Sequence, residues 1–169
     1  MIEVCDLRKS FGRTNAVAGV SFSVRAGETF GLLGPNGAGK STTIAMLIGA
    51  LAPDSGTIRL VDRGAPSEPA IRQLIGDAPQ TLSLYEELTA LENLKFFGRM
   101  YGLASAKLAE RVDWALEFAG LIERAKDRVK TFSGGMKRRL NLAVALVHEP
   151  QVIFLDEPTA GVDPQSRTH

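Results

Sequence analysis

The sequence holds a single cysteine, Cys5, and no apolar run near the roughly 18 residues needed to cross a bilayer. One cysteine excludes an internal disulfide and suits a reducing compartment. Cys5 stands among Ile2, Val4 and Leu7, an alternating stretch, so it is expected as a small core residue rather than a nucleophile. The opening Met1-Ile2-Glu3-Val4-Cys5-Asp6 lacks the basic-then-apolar order of a secretory signal. The net charge is only +1, which argues against bulk nucleic-acid binding and against a polybasic membrane anchor. Repeats and low-complexity tracts are also missing. What remains is a chain of 169 residues, 44% hydrophobic and 23% charged, long enough for one domain with a real core. These bounds point to a soluble cytosolic domain.

The chain is organised around Gly34-Pro35-Asn36-Gly37-Ala38-Gly39-Lys40-Ser41-Thr42, which reads G-x-x-x-x-G-K-S. An apolar run at 30–33 precedes it, and residues 43–48 can continue it as a helix. That strand, loop and helix order is the one in which such a motif cradles phosphates. Glycines let backbone N–H groups turn inward, and the helix N-terminus adds partial positive charge. Lys40 supplies a full charge for the β- and γ-phosphates, and the Ser41 hydroxyl can ligate Mg²⁺. The stretch predicts binding of a nucleoside triphosphate.

Taken in order, short strands are expected at 2–7 and 20–24, and another at 29–33 delivers the phosphate loop. A helix spans about 39–50, Pro53-Asp54-Ser55-Gly56 stops it, and 57–61 resumes as strand. A short helix at 70–74 and a brief strand at 75–78 lead to Pro79-Gln80. From about 89 the character turns helical: Leu91, Leu94, Phe97 and Tyr101, then Leu108, Val112, Ala115 and Ala119, recur at helical spacing. Ser133 stands where an N-cap belongs, opening a helix to about 147. The continuous apolar run 152–155 reads as a strand buried on both faces. The layout is an α/β core with a helical insertion at about 88–135.

Strand 152–155 ends in Asp156-Glu157, and ligands in open α/β sheets gather at the carboxyl ends of strands. Beside the phosphate loop, Asp156 would share Mg²⁺ with Ser41, and Glu157 would polarise a water for attack on the γ-phosphorus. Charge repulsion from polyphosphate would raise the pKa of such a carboxylate, which suits a general base. Ser133-Gly134-Gly135-Met136, with two glycines exposing N–H groups at a helix start, reads either as a second anion site or as a flexible turn plus a cap. A dimer in which this site closes over the partner's nucleotide explains why one chain carries both.

These residues resemble the nucleotide-binding domain of ATP-binding cassette (ABC) transporters over essentially the whole chain. Gly34 to Thr42 is similar to Walker A, Phe132-Ser133-Gly134-Gly135-Met136 to the signature motif, and 152–157 to Walker B with its catalytic glutamate. Gln80 falls at the Q-loop glutamine, Ala160-Gly161-Val162-Asp163 resembles the D-loop, and Phe11 matches the A-loop aromatic that stacks on adenine. The resemblance implies a P-loop NTPase core with a mixed or parallel sheet, N-terminal antiparallel strands and an inserted α-helical subdomain. It implies ATP and Mg²⁺ as cofactors, Gln80 as a sensor of Mg²⁺ and γ-phosphate, and ATP sandwiched between two such domains. Ser133 and Gly135 would contact the partner's ATP, and Asp163 would link the two sites. The implied partners are a second nucleotide-binding domain, in a homo- or heterodimer, and a transmembrane permease subunit. Direct nucleic-acid contact is not expected. The implied location is the cytoplasmic face of the cell membrane, peripheral through that permease. Residues 82–85 fit either part of the groove receiving a coupling helix or plain core packing.

Two departures stand out. The signature usually ends in Gln; here Met136 stands there, followed by Lys137-Arg138-Arg139. That wording is most similar to exporter cassettes for drugs, lipids, glycans or ions. The family also carries a switch histidine on a later strand, whereas His169 follows a helix-like stretch soon after the D-loop. The chain is therefore expected to be an incomplete nucleotide-binding domain lacking the C-terminal core strands. Such a chain would be marginally stable, able to bind Mg-ATP and poor at hydrolysing it. The rival reading is a soluble ABC-type ATPase acting on nucleic acid or ribosomes. The interval from Thr42 to Ser133 is too short for an inserted coiled coil, and only one cassette is seen. No Asn-Lys-x-Asp guanine-reading motif supports a GTPase.

Overall fold

A computed structural model describes residues 2–156, which form two compact units, 2–75 and 76–156. The first unit is built on an antiparallel sheet in the order β2-β1-β3: β1 (Ile2–Phe11), β2 (Thr14–Val24) and β3 (Ser55–Leu60). Helix α1 (Lys40–Leu47) packs on β2, and α2 (Pro69–Arg72) begins with proline, whose fixed φ suits a first helical position. Val4, Leu7, Met46 and Leu60 are its most buried apolar residues.

Both strands of the first hairpin run longer than the expected 2–7 and 20–24, reaching Phe11 and starting at Thr14. The ladder is irregular where Asp6 takes φ +45° between the paired Val4 and Leu7. Cys5 is exposed rather than in the core, as its place in the alternation requires. Alternation buries Ile2 and Val4 and turns Cys5 outward, and the extra residue at Asp6 restores Leu7 to the interior.

Residues 29–33 are not a strand among the described residues. A strand needs a ladder partner, and none pairs with them; Phe30 and Leu33 are exposed, with the Phe30 ring stacked on Phe22 at 4.8 Å.

In the second unit, β4 (Ile75–Ala78) pairs with β5 (Val152–Leu155). Three helices make the core: α3 (Ala90–Met100), α4 (Ser105–Phe118) and α5 (Gly134–Leu146). Leu94, Val112, Ala115 and Ala119 of the expected stripe are almost entirely shielded from water, and Leu121, Leu140 and Val147 join them. A Cβ at Gly76 would lie 2.5 Å from the Ala145 carbonyl, so glycine alone lets β4 approach α5 this closely. Strand β5 departs from the expected two-sided burial. Phe154 is buried but Ile153 and Leu155 are exposed, because β4 is its one sheet neighbour among the described residues.

Candidate functional site: a phosphate loop and a capped glycine helix

The first unit presents the loop of residues 34–39 on its surface. Gly37 and Gly39 both take φ +82°, a left-handed conformation that side chains with a Cβ resist. At Gly39 space also forbids a side chain: an added Cβ would sit 2.1 Å from the Ala16 carbonyl of β2. Ala38 N–H donates to the Pro35 carbonyl at 3.2 Å, closing a tight turn. The Lys40 ammonium then folds back, donating to the Gly34 carbonyl at 2.8 Å and the Pro35 carbonyl at 2.9 Å.

The first helical bond of α1 runs from Thr43 N–H to the Gly39 carbonyl at 2.8 Å, and the Thr43 hydroxyl reinforces it at 2.9 Å. The N–H groups of Lys40, Ser41 and Thr42 therefore precede the intrahelical ladder. The first turn of α1 carries no acidic residue, so its own side chains leave the positive end of its dipole uncompensated. A concave backbone, a lysine and an uncompensated helix start fit a polyphosphate. Asn36 and Ser41 lie exposed on the same loop and helix start. Phe11 ends β1 with its ring 54% exposed and the Lys9 ammonium 5.8 Å from the ring centroid.

The second unit carries the other predicted residues. Ser133 caps α5: its Oγ accepts from Met136 N–H at 3.3 Å. A Cβ at Gly134 or Gly135 would meet nothing within 4 Å, so that helix start is open to an incoming group. Met136 is half-buried against the helical core, so it packs where the family's glutamine is polar. A cavity of about 490 Å³ lies beside this helix start, lined by Pro79, Ser133, Gly135, Met136, Arg138 and Asn141 among others. Gln80 is exposed at the end of β4, and its carbonyl accepts from Arg138 Nη1 at 2.8 Å. Asp156 follows β5, its N–H donating to the Ala78 carbonyl at 3.2 Å. Residues 82–85 divide: Leu84 packs against the core, while Tyr85 is exposed and meets Phe96 edge-on at 4.9 Å. Glu157, the D-loop with Asp163, and His169 lie outside the described residues.

Asp77 belongs to none of the motifs, and its one signal in the sequence is an acid inside the apolar strand 75–78. Burial raises its pKa, and the negative charge of Asp156 adds to the shift. Tyr101 is likewise raised, by burial first and by Asp77 second. Among the described residues no group of three or more His, Cys, Asp or Glu side chains is placed to hold a metal ion. None of the described helices is long and apolar enough to cross a membrane.

Residues 17–160 match the family described as ABC transporter. The chain belongs to that family. This ABC chain is 51% identical over 170 residues to the linearmycin resistance ATP-binding protein LnrL of Bacillus subtilis (strain 168), covering 100% of the chain and 55% of that relative. It is 50% identical to a Nod factor export ATP-binding protein I of Paraburkholderia xenovorans (strain LB400), over 98% of the chain and 55% of that relative. The chain thus spans about half the length of these curated relatives. The solved ATP binding subunit of an ABC transporter superposes with a TM-score of 0.85 at 36% identity, over 96% of this chain and 68% of that one. CbiO1 from Clostridium perfringens, part of the ABC transporter complex cbiONQ, gives a TM-score of 0.85 at 31% identity, over 97% and 68% of the two chains. Membership of this family implies nucleotide binding, and the α/β architecture is that of ABC ATPase domains.

Proposed function

We propose that this chain is the ATP-binding and ATP-hydrolysing motor part of an ABC exporter. The observation that carries this reading is the loop at 34–39, whose backbone is held open by Gly37 and Gly39 and closed over by Lys40. Backbone N–H groups and Lys40 bind the β- and γ-phosphates, and the exposed Phe11 ring stacks on adenine. The Ser41 hydroxyl, the Gln80 amide oxygen and the Asp156 carboxylate are each hard oxygen donors of the kind that suits Mg²⁺, and would hold the ion that neutralises charge on the phosphates. Glu157 orients and deprotonates the attacking water.

Ser133, Gly134 and Gly135 present an open helix start to the nucleotide of a second nucleotide-binding domain, and Asp163 links the two sites. The helices at 88–135 act as the inserted subdomain, and a transmembrane permease holds the pair at the cytoplasmic face of the membrane. Export rather than import is supported by the relatives' names, linearmycin resistance and Nod factor export. Drugs, lipids or glycans are the corresponding substrate classes.

The test is ATP-dependent dimerisation of Glu157→Gln in the full chain. With water activation removed, a sandwich dimer accumulates on adding Mg-ATP and not Mg-ADP. A variant that stays monomeric with both nucleotides contradicts the assignment of Glu157 and the trans role of Ser133.

A further inference from the structure

Residues 79–88, which follow β4, are not part of any helix or strand, yet their backbone polar groups still need partners. Side chains from α5 take two of them. Arg138 Nη1 donates to the Gln80 carbonyl at 2.8 Å, and Asn141 Oδ1 accepts the Ser83 N–H at 3.1 Å. Arg138 and Asn141 are three residues apart, hence on one face of the helix. Asn141 is only 4% exposed, and a buried amide is retained where its hydrogen bonds are made. The Arg138 bond is charge-assisted, which makes it about twice as strong as a neutral one. Lys137 of the same helix also pairs with Glu86, although that surface ion pair adds little. Ser133 caps helix α5 with its hydroxyl, and the first residues of the helix are the open glycines.

We propose that Arg138 and Asn141 are positioning residues that lock the backbone of Gln80 and Ser83 to α5. The Gln80 segment and the Ser133–Gly135 helix start then move as one body. The proposal rests on the reading above, in which Gln80 faces nucleotide in its own subunit and Ser133 faces the partner's. A displacement at Gln80 is passed to the helix start through these two hydrogen bonds, in addition to the packing of Leu84 on the helical core. Arg138 and Asn141 act through the backbone they hold and touch no reacting atom.

Amide hydrogen exchange on the full chain tests this in two arms. Without nucleotide, Arg138→Met/Asn141→Leu is expected to raise exchange at the Ser83 amide at least tenfold over wild type. The amides of Leu140 and Val144, inside the helix core, keep their protection. Asn141→Asp retains an Oδ acceptor and is expected to hold Ser83 within about threefold of wild type. Should the double variant unfold, Asn141→Leu against Asn141→Asp gives the same comparison. Unchanged Ser83 exchange in a folded Asn141→Leu variant overturns the lock.

In the second arm, Mg-ATP is expected to slow exchange both at 80–85 and in the first turn of α5 in wild type. In the double variant it slows only one of them. Independent responses of the two segments in wild type overturn the single-body claim. A wild-type chain that binds no ATP overturns the proposed function instead, and the nucleotide-free arm still decides the lock.

Discussion

Asn93 holds both backbone polar groups of Tyr85. Its Nδ2 donates to the Tyr85 carbonyl at 3.0 Å, and its Oδ1 accepts the Tyr85 N–H at 2.9 Å. The same Nδ2 reaches the Thr89 carbonyl at 2.9 Å, and the residue is wholly buried. Asn93→Leu would leave the part-buried Tyr85 N–H unsatisfied, at a cost of about 1–3 kcal/mol, while the Tyr85 carbonyl keeps the Leu88 N–H at 3.2 Å. Thermal unfolding should show a loss of about 1–3 kcal/mol on this basis. Asn93→Asp keeps the acceptor for Tyr85 N–H but loses both donations, so it should also destabilise.

Arg111 performs a similar service at the C-terminal end of α5. Its Nε and Nη2 donate to the Val147 and Leu146 carbonyls, each at 3.0 Å, where the helix leaves its last carbonyls unpaired. Glu149 pairs with it at 3.3 Å and the Trp114 ring lies 4.0 Å from the guanidinium carbon. Arg111→Met preserves stem packing but removes the donors, and should cost about 1–3 kcal/mol. The sequence has one tryptophan, so its fluorescence isolates this contact, and the emission should shift in the variant.

Acid should weaken the start of α3 in a way that one residue controls. Thr89 and Glu92 form a capping box: Thr89 Oγ1 accepts Glu92 N–H at 3.1 Å, and Glu92 Oε2 accepts Thr89 N–H at 2.8 Å. The Thr89 N–H bond, then the Thr89 hydroxyl, hold the Glu92 carboxyl below its ordinary pKa. A lowered folded-state pKa means the contribution is present above the unfolded value and is lost as pH falls through the folded one. Glu92→Gln retains a capping side chain without the titration. Its melting temperature should therefore fall less than that of wild type between neutral pH and about pH 3.

Gly39 and Gly37 share a φ of +82° but not their surroundings. Alanine at either position meets left-handed strain of about 1 kcal/mol. Only at Gly39 would the Cβ also press on a backbone carbonyl, that of Ala16. Gly39→Ala should lower ATP affinity by at least about tenfold, equivalent to about 1.4 kcal/mol, and Gly37→Ala by less. Isothermal titration of both variants checks the order.

What could be read from the amino acids alone follows from how local each feature is. The phosphate loop and the Ser133 cap are legible because their chemistry is set by neighbours within a few positions. Asn93, Arg111, Asn141 and Arg138 read as unremarkable polar residues on helices, since each acts on a backbone group that only tertiary packing brings near. Cys5 shares the spacing parity of the buried Leu7, and only the irregular ladder at Asp6 shows that Leu7 changes parity while Cys5 stays outside. Residues 29–33 carry a strand's apolar pattern, yet a strand exists only with a ladder partner, which their own pattern cannot supply. The pair Asp77 and Asp156 emerges only when β4 and β5 lie side by side.

Equilibrium binding of a fluorescent ATP analogue to the full chain, with Mg²⁺, tests the central claim most directly. Saturable binding to wild type, displaced by unlabelled ATP, is expected. Lys40→Ala should weaken it at least about tenfold, because a charged hydrogen bond of about 1.5–3 kcal/mol is lost. Absence of saturable binding to wild type, or equal affinity in Lys40→Ala, would contradict a nucleotide site at this loop.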